Sequence, residues 1–256
     1  MIISHRHKYL FIGLPLAAST AISKELCEMY DGKPILNKHS IYQDFLKIAS
    51  PEEKTYNVIA CSRNPLDISL SYYTKMLNNS SGNFSNPQLL RKNGGHLKKR
   101  DYQLSKSIRE QHMDYDTFLK KYYRFPFDNW LTITKPHCQV LIRFENLQED
   151  FEKALKYCGI KPKRPLPVIN KTTEKAPSFE SYYTLKNKAL SLSIFGPYMK
   201  HHQIALPKGW RYKDIKWWDR LWFYILSKVR ALYWINISYR NTKAQKVYKE
   251  LLEKHQ

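Results

Sequence analysis

Short apolar runs that alternate with helical patterns constrain the fold of this chain more than any other feature. The runs fit buried strands, and the patterns with apolar residues three or four apart fit helices. The predicted strands are residues 9–14, 33–37, 56–61 and 139–143, and the helices that follow them are residues 21–30, 42–48, 68–77 and 147–158. This alternation predicts an α/β fold, in which helices flank a central, mainly parallel sheet.

Charge and cysteine usage narrow the class of protein. The 256 residues include 43 Lys and Arg against 22 Asp and Glu, so the formal net charge is +21. Such an excess predicts an anionic partner, whether nucleic acid, acidic lipid, an acidic glycan or a phosphate-rich cofactor. The four cysteines form no CxxC pair, which indicates reduced thiols. Without a signal peptide or an uncharged stretch of membrane-spanning length, we expect a complete cytoplasmic protein.

The first candidate site is the turn of small residues between the first strand and its helix. Residues 15–20 read PLAAST. Small side chains let the backbone approach an anion, and the free N–H groups at the start of the helix would bind it. An ordinary Ser/Thr N-cap is the alternative. No Gly-Lys-Ser/Thr follows the strand, which argues against a kinase or an ATPase.

The second candidate site follows the third predicted strand. Arg63 stands where this strand ends, Pro65 suits the first position of a helix, and Ser71 comes eight residues after Arg63, about two helical turns into it. A buried guanidinium needs a partner. Arg63 and a serine hydroxyl form a reasonable clamp for a phosphate, and the alternative is a structural pair between Arg63 and Asp67.

Together the two motifs resemble the cofactor signatures of sulfotransferases that use 3′-phosphoadenosine 5′-phosphosulfate (PAPS). Residues 15–20 are similar to the 5′-phosphosulfate loop of that family, and RNPLDISLSYY at 63–73 is similar to its 3′-phosphate motif. VLIRFENLQEDFEKALKYCGI resembles a later strand–helix segment of the family. PLPVINKTT and FGPYMKHHQIALPKGW resemble the ends of its carbohydrate-type branch, so the resemblance extends from about residue 8 to 210.

The resemblance implies a P-loop-like sulfotransferase fold for residues 1–210, PAPS as sulfuryl donor and PAP as product. It implies that the cofactor-binding residues are Pro15, Leu16, Ala17, Ala18, Ser19, Thr20, Ala21, Arg63, Ser71, Asn170 and Lys171. No metal is expected, because no His/Cys/Asp cluster has the spacing of metal ligands.

One residue departs from the family pattern. The loop of the family carries a lysine after the proline, and this lysine stabilises the leaving phosphate, whereas this chain has Leu16. A missing cation should slow the reaction, since sulfuryl transfer builds charge on the leaving oxygen. Either Lys24, Lys38 or Arg6 replaces it, or the chain binds PAPS with reduced activity.

His39 is the candidate catalytic base, with Lys38 beside it. A hydroxyl acceptor needs a base of near-neutral pKa, and histidine is the usual choice. His39 follows the second predicted strand and so opens on the edge of the sheet where both motifs lie. A solvated loop histidine is the alternative. Lys38 would replace the loop lysine or lower the pKa of His39.

Residues 211–256 are expected to form a helical C-terminal extension. Between Trp217 and Ile237 the chain is aromatic and basic, and one helical face carries Trp217, Leu221, Ile225, Val229 and Leu232. Such a helix can lie in a membrane interface or pack on the domain or on a second subunit. Packing is favoured here, because exposed aromatic residues promote aggregation.

The resemblance and the residues together predict a sulfotransferase that sulfates a hydroxyl of a glycan or of a small hydroxylated natural product. No nucleic acid partner is expected in that case. The alternative is a basic protein that binds nucleic acid or a membrane surface without catalysis, or a PAPS-binding protein of reduced activity.

Overall fold

The computed structural model describes residues 1–93, 97–167 and 178–236, which fall into two compact units. The sheet unit consists of Met1–Asn64, 128–167 and 223–236. The helical unit consists of residues 65–93, 97–127 and 178–222.

The sheet unit is built on a five-stranded sheet, as the mainly parallel α/β prediction requires. Its strands are β1 (Ile2–Ser4), β2 (Tyr9–Ile12), β3 (Lys33–Pro34), β4 (Asn57–Ser62) and β5 (Val140–Arg143), in the spatial order β3-β1-β2-β4-β5. Strands β2, β4 and β5 pair in parallel, whereas β1 runs antiparallel to β2 and β3. The mainly parallel core is confirmed, and β1 is an antiparallel strand that the apolar pattern did not reveal.

The helices of the described residues follow the strands at nearly the predicted positions. They are α1 (Ser19–Met29), α2 (Tyr42–Leu46), α3 (Pro65–Leu77), α4 (Lys99–Glu110), α5 (Tyr115–Tyr122), α6 (Leu131–Thr134), α7 (Leu147–Tyr157), α8 (Leu185–His202) and α9 (Trp217–Asn236). Helix α3 starts at Pro65, whose ring presets the φ angle for the first helical position. None of these helices has the length and apolar composition needed to cross a bilayer.

Burial on both faces explains why the strands are continuous apolar runs. All four residues of β2 are fully buried, as expected for a strand covered on both sides. Leu10, Ile12, Val58 and Ala60 pack into the core of the sheet unit together with Phe45 of α2. Each large apolar side chain buried in this way contributes about 1.5–3 kcal/mol.

An ion pair with a buried carboxylate and a half-exposed guanidinium holds α1 in the sheet unit. The Glu25 carboxylate is completely buried and accepts hydrogen bonds from Arg164 Nε at 2.9 Å and from Arg164 Nη2 at 2.7 Å. This two-point contact satisfies the carboxylate and fixes its orientation. The start of α1, where the first candidate site lies, is therefore carried by a well-anchored helix.

The helical unit has its own aromatic core. Leu66 and Leu70 of α3 pack there with Phe118 of α5 and with Phe195 and Met199 of α8. Ser69 and Ser71 of α3 are also buried, and the hydroxyl of Tyr115 donates to Ser69 Oγ at 3.0 Å.

Candidate active site

The parallel pairing of β2 with β4 brings two predicted motifs to one edge of the sheet. Ile12 is in register with Ala60, so the turn after β2 and the segment after β4 both leave the sheet at this edge. The Leu14 N–H donates to Cys61 Sγ at 3.2 Å. Cys61 is completely buried, and burial raises its pKa to about 12. Its neutral thiol therefore joins the two strand ends and plays no role as a nucleophile.

The turn after β2 has an unusual backbone. Leu16 and Ala18 adopt positive φ angles of 63° and 57°, which costs about 1–2 kcal/mol for each non-glycine residue. Gly13 is required by close packing, since a Cβ there would lie 2.9 Å from Ser19 Cβ. Strain of this kind persists only where the surrounding structure enforces it, and it is concentrated at functional sites.

The start of α1 is suited to an anion. The N-cap residue is Ala18, which offers no side-chain cap, and the first backbone bond of the helix runs from the Ile22 N–H to the Ala18 carbonyl at 3.2 Å. The N–H groups of Ser19, Thr20 and Ala21 thus have no acceptor within the helix. No acidic residue lies in the first turn. The Ser/Thr N-cap alternative is wrong, and the helix start retains its positive electrostatic character.

Arg63 lies against this turn. Its guanidinium is largely buried, donates from Nη1 to the Leu16 carbonyl at 2.9 Å, and has its Cζ 4.0 Å from the centre of the Phe144 ring. The adjacent Asn64 N–H donates to Glu145 Oε1 at 2.5 Å. Phe144 and Glu145 follow β5, so the ends of three neighbouring strands meet around Arg63.

No role for Phe144 or Glu145 was predicted from the sequence, although both lie in the segment VLIRFENLQEDFEKALKYCGI. The available signal was their position directly after a strand, at the edge where β4 ends. Arg143, the last residue of β5, fixes this segment through a two-point contact with Asp150, at 2.7 Å from Nε and 2.9 Å from Nη2. This hydrogen-bonded pair also lowers the pKa of Asp150.

His39 contacts the same turn from the segment that follows β3. Its Nδ1 lies 2.6 Å from the Gly13 carbonyl oxygen. A carbonyl can only accept, so Nδ1 carries the hydrogen and Nε2 is left as the basic nitrogen. Burial is the main cause that lowers the pKa of His39, with the nearby Lys38 a smaller one. His39 is therefore a neutral imidazole held in one orientation at this edge of the sheet, and the solvated-loop alternative does not describe it.

Lys38 brings a cation to the start of α1. Its Nζ donates to Thr20 Oγ1 at 2.6 Å. The other two candidates for the missing loop lysine lie elsewhere: Lys24 pairs with Glu28 at 3.6 Å, and Arg6 lies in the β1–β2 turn, at the opposite end of β2. Lys38 is thus the candidate cation that the structure brings to the loop.

The remaining predicted cofactor residues are Ser71, Asn170 and Lys171. Ser71 is a buried residue of α3 in the helical unit. Asn170 and Lys171 lie outside the described residues.

Comparison with known proteins identifies one family. Residues 18–176, well over half of the chain, match the family model described as "Sulfotransferase domain". This range includes the start of α1, His39, Arg63 and Glu145. No match was found among curated proteins or among solved structures.

The packing at Gly13 gives a stability prediction. We expect Gly13→Ala to lower the free energy of unfolding by about 1–3 kcal/mol, because the new Cβ overlaps Ser19. Ala18→Gly is the matched control: glycine tolerates the left-handed conformation at that residue, so the free energy should change by less than about 1 kcal/mol. Denaturant unfolding measures both. Equal stability of Gly13→Ala and the parent would show that the turn is not tightly packed.

Proposed function

Since the chain belongs to the sulfotransferase family, we propose that it transfers the sulfuryl group of PAPS to an acceptor hydroxyl and releases PAP. The observation that carries this proposal is the meeting of three groups at one turn: the unsatisfied N–H groups of α1, the Arg63 guanidinium and the Lys38 ammonium. Such a concentration of donors and positive charge suits a highly anionic nucleotide.

The donor-binding roles follow from this arrangement. The backbone of Pro15, Leu16, Ala17 and Ala18, with the N–H groups of Ser19, Thr20 and Ala21, would hold the 5′-phosphosulfate. Arg63 would hold the 3′-phosphate. The role of Ser71 rests on its place in the sequence motif, eight residues after Arg63, and Asn170 and Lys171 are likewise proposed from the resemblance.

His39 and Lys38 would carry the acid–base and electrostatic parts of the reaction. His39 Nε2 accepts the proton of the acceptor hydroxyl while the new O–S bond forms. PAPS supplies the sulfuryl group, and the charge that builds on its departing phosphate oxygen needs stabilisation by fixed donors and cations. Lys38, held at the first turn of α1, supplies the positive charge that the family places at the position of Leu16.

The proposals for the acceptor and for the cellular location name only broad classes. The net charge of +21 favours a glycan acceptor, in particular an acidic one, and the carbohydrate-type branch is supported by the sequence resemblance alone. A small hydroxylated natural product is the alternative acceptor. Incubation with labelled PAPS and a panel of both acceptor classes would distinguish them. A cytoplasmic location is supported by the four free thiols, and the division at residue 210, the absence of a metal and the absence of a nucleic acid partner stay predictions.

Nucleotide binding tests the donor assignment. PAP should raise the melting temperature more than AMP or ATP does, because both lack the 3′-phosphate. Arg63→Ala should weaken PAP binding at least about tenfold, since it removes a charge-assisted contact. Ser71→Ala should weaken it as well, whereas Ser69→Ala, a buried serine of the same helix, should not. No shift with PAP would refute the donor, and equal effects of the two serine variants would refute the role of Ser71.

The pH dependence tests His39 as the base. Activity requires neutral imidazole, so kcat/KM should fall as pH drops through the pKa of His39, and the midpoint should lie below the ordinary value of 6.5 because burial favours the neutral form. His39→Ala should lose about 10²–10⁴-fold in kcat and the acid limb with it. The control is His137→Ala, which removes another histidine whose pKa is lowered by burial. This variant should leave kcat and the acid limb unchanged. An unchanged acid limb in His39→Ala would exclude it as the base.

A second-site rescue tests Lys38. Lys38→Met should lower kcat by about 10²–10³-fold, with PAP affinity less affected, because the charge matters most as the leaving group departs. Adding Leu16→Lys should restore at least part of kcat by returning a lysine to the loop. Lys24→Met is the control, since Lys24 pairs with Glu28. Full activity of Lys38→Met would show that the reaction proceeds without this cation.

A further inference from the structure

Helix α9 presents an apolar face to solvent. Its exposed large side chains are Trp217, Trp218, Leu221, Trp222, Tyr224, Ile225, Val229, Leu232 and Tyr233, which we call the α9 face. Most of them are spaced three or four residues apart, and the others are direct neighbours of these in the sequence. All nine therefore lie on one side of the helix. Trp217 is 64% exposed and Leu232 is 63% exposed. Packing on the domain, one of the alternatives for this stripe, is therefore not seen for the described residues, and Ile237 lies outside them.

The opposite side of α9 fixes this orientation. Within the sheet unit, Phe223 and Ser227 are buried, and Ser227 Oγ donates to Asp128 Oδ2 at 2.7 Å. Asp128 also accepts from Thr132 Oγ1 at 2.6 Å. The Ser227–Asp128 hydrogen bond and the burial of Phe223 hold the helix in one rotation about its axis, so the exposure of the apolar side is a property of the fold.

The exposed charged residues on and beside α9 are all positive. Lys216, directly before the helix, and Arg220 and Lys228 within it are exposed. The one acidic residue of the helix, Asp219, is buried and accepts a hydrogen bond from Ser193 Oγ at 2.8 Å. Two of the cations lie over aromatic rings of the face, Lys216 over Trp218 at 5.2 Å and Lys228 over Tyr224 at 5.6 Å.

We propose that the α9 face docks on the surface of a membrane containing anionic lipid. Five of its nine residues are Trp or Tyr, whose rings suit the boundary between headgroups and hydrocarbon. The flanking lysine and arginine side chains complement acidic headgroups. The helix would lie on the bilayer and not span it, in keeping with its limited length of apolar sequence.

A second copy of the chain fits this surface less well. Pairing two α9 faces would bring exposed Lys216, Arg220 and Lys228 of both copies together without an exposed acidic partner on the helix. Each copy also carries a formal net charge of +21. The exposed cations and the net charge both oppose self-association and favour binding to an anionic surface.

Vesicle binding by the full chain tests this proposal independently of PAPS. The protein should sediment with vesicles of phosphatidylcholine and phosphatidylglycerol, should not sediment with phosphatidylcholine alone, and its tryptophan emission should shift to the blue on binding. The Leu221→Gln/Ile225→Gln variant, which leaves the charge unchanged, should bind at least about tenfold more weakly. The control Tyr157→Gln/Leu185→Gln removes two exposed apolar residues outside α9, of which Leu185 is 90% exposed, and should bind as the parent does.

Three outcomes would overturn the proposal. Equal binding by both double variants would mean that net charge alone drives adsorption. A dimer in analytical ultracentrifugation that Leu221→Gln/Ile225→Gln abolishes would assign the face to a second copy. A monomer whose emission is already blue-shifted without lipid would mean that another part of the chain covers the face. Unchanged thermal unfolding of both variants would verify that they are folded.

Discussion

The parallel pairing of β2 with β4 is the constraint on which the proposed site depends. It makes two turns, distant in sequence, leave the sheet at one edge, and the Leu14–Cys61 contact joins them beneath the surface. Arg63 then reaches the Leu16 carbonyl by a short path. The guanidinium therefore stabilises the strained turn as well as being the proposed anion ligand, so its loss should affect both the loop and nucleotide binding.

The positive charge near the turn comes from Lys38. With leucine in the loop, the cation comes from the segment after β3 and not from the loop itself. His39 is held by the Gly13 carbonyl in the same segment. The proposed base and the proposed cation are consequently adjacent residues on one short backbone segment, and any displacement of that segment would move both. The like charge of Lys38 also favours the neutral form of His39, the form a base requires.

The sequence was sufficient for the parallel strands and for the helices that follow them. The reason is that buried strands and amphipathic helices have characteristic apolar periods. It also indicated that Arg63, at the end of a buried strand, needs a partner. It was insufficient for β1, which is only three residues long. It also could not show that the Gly13 carbonyl orients His39, or that Phe144 packs on Arg63, because both contacts depend on which strands are neighbours.

Helix α9 shows that a periodic pattern alone does not determine which side of a helix is buried. An apolar stripe predicts that a face is covered, but it does not say by what, and here the buried side of the helix is the opposite one, which carries Phe223 and Ser227. The difference lies in the buried polar groups: Ser227 has a carboxylate partner in Asp128, so the more polar side can be buried without an unsatisfied hydrogen bond. An apolar face left outward by such a network, bordered by lysine and arginine, has the composition of a lipid-facing surface.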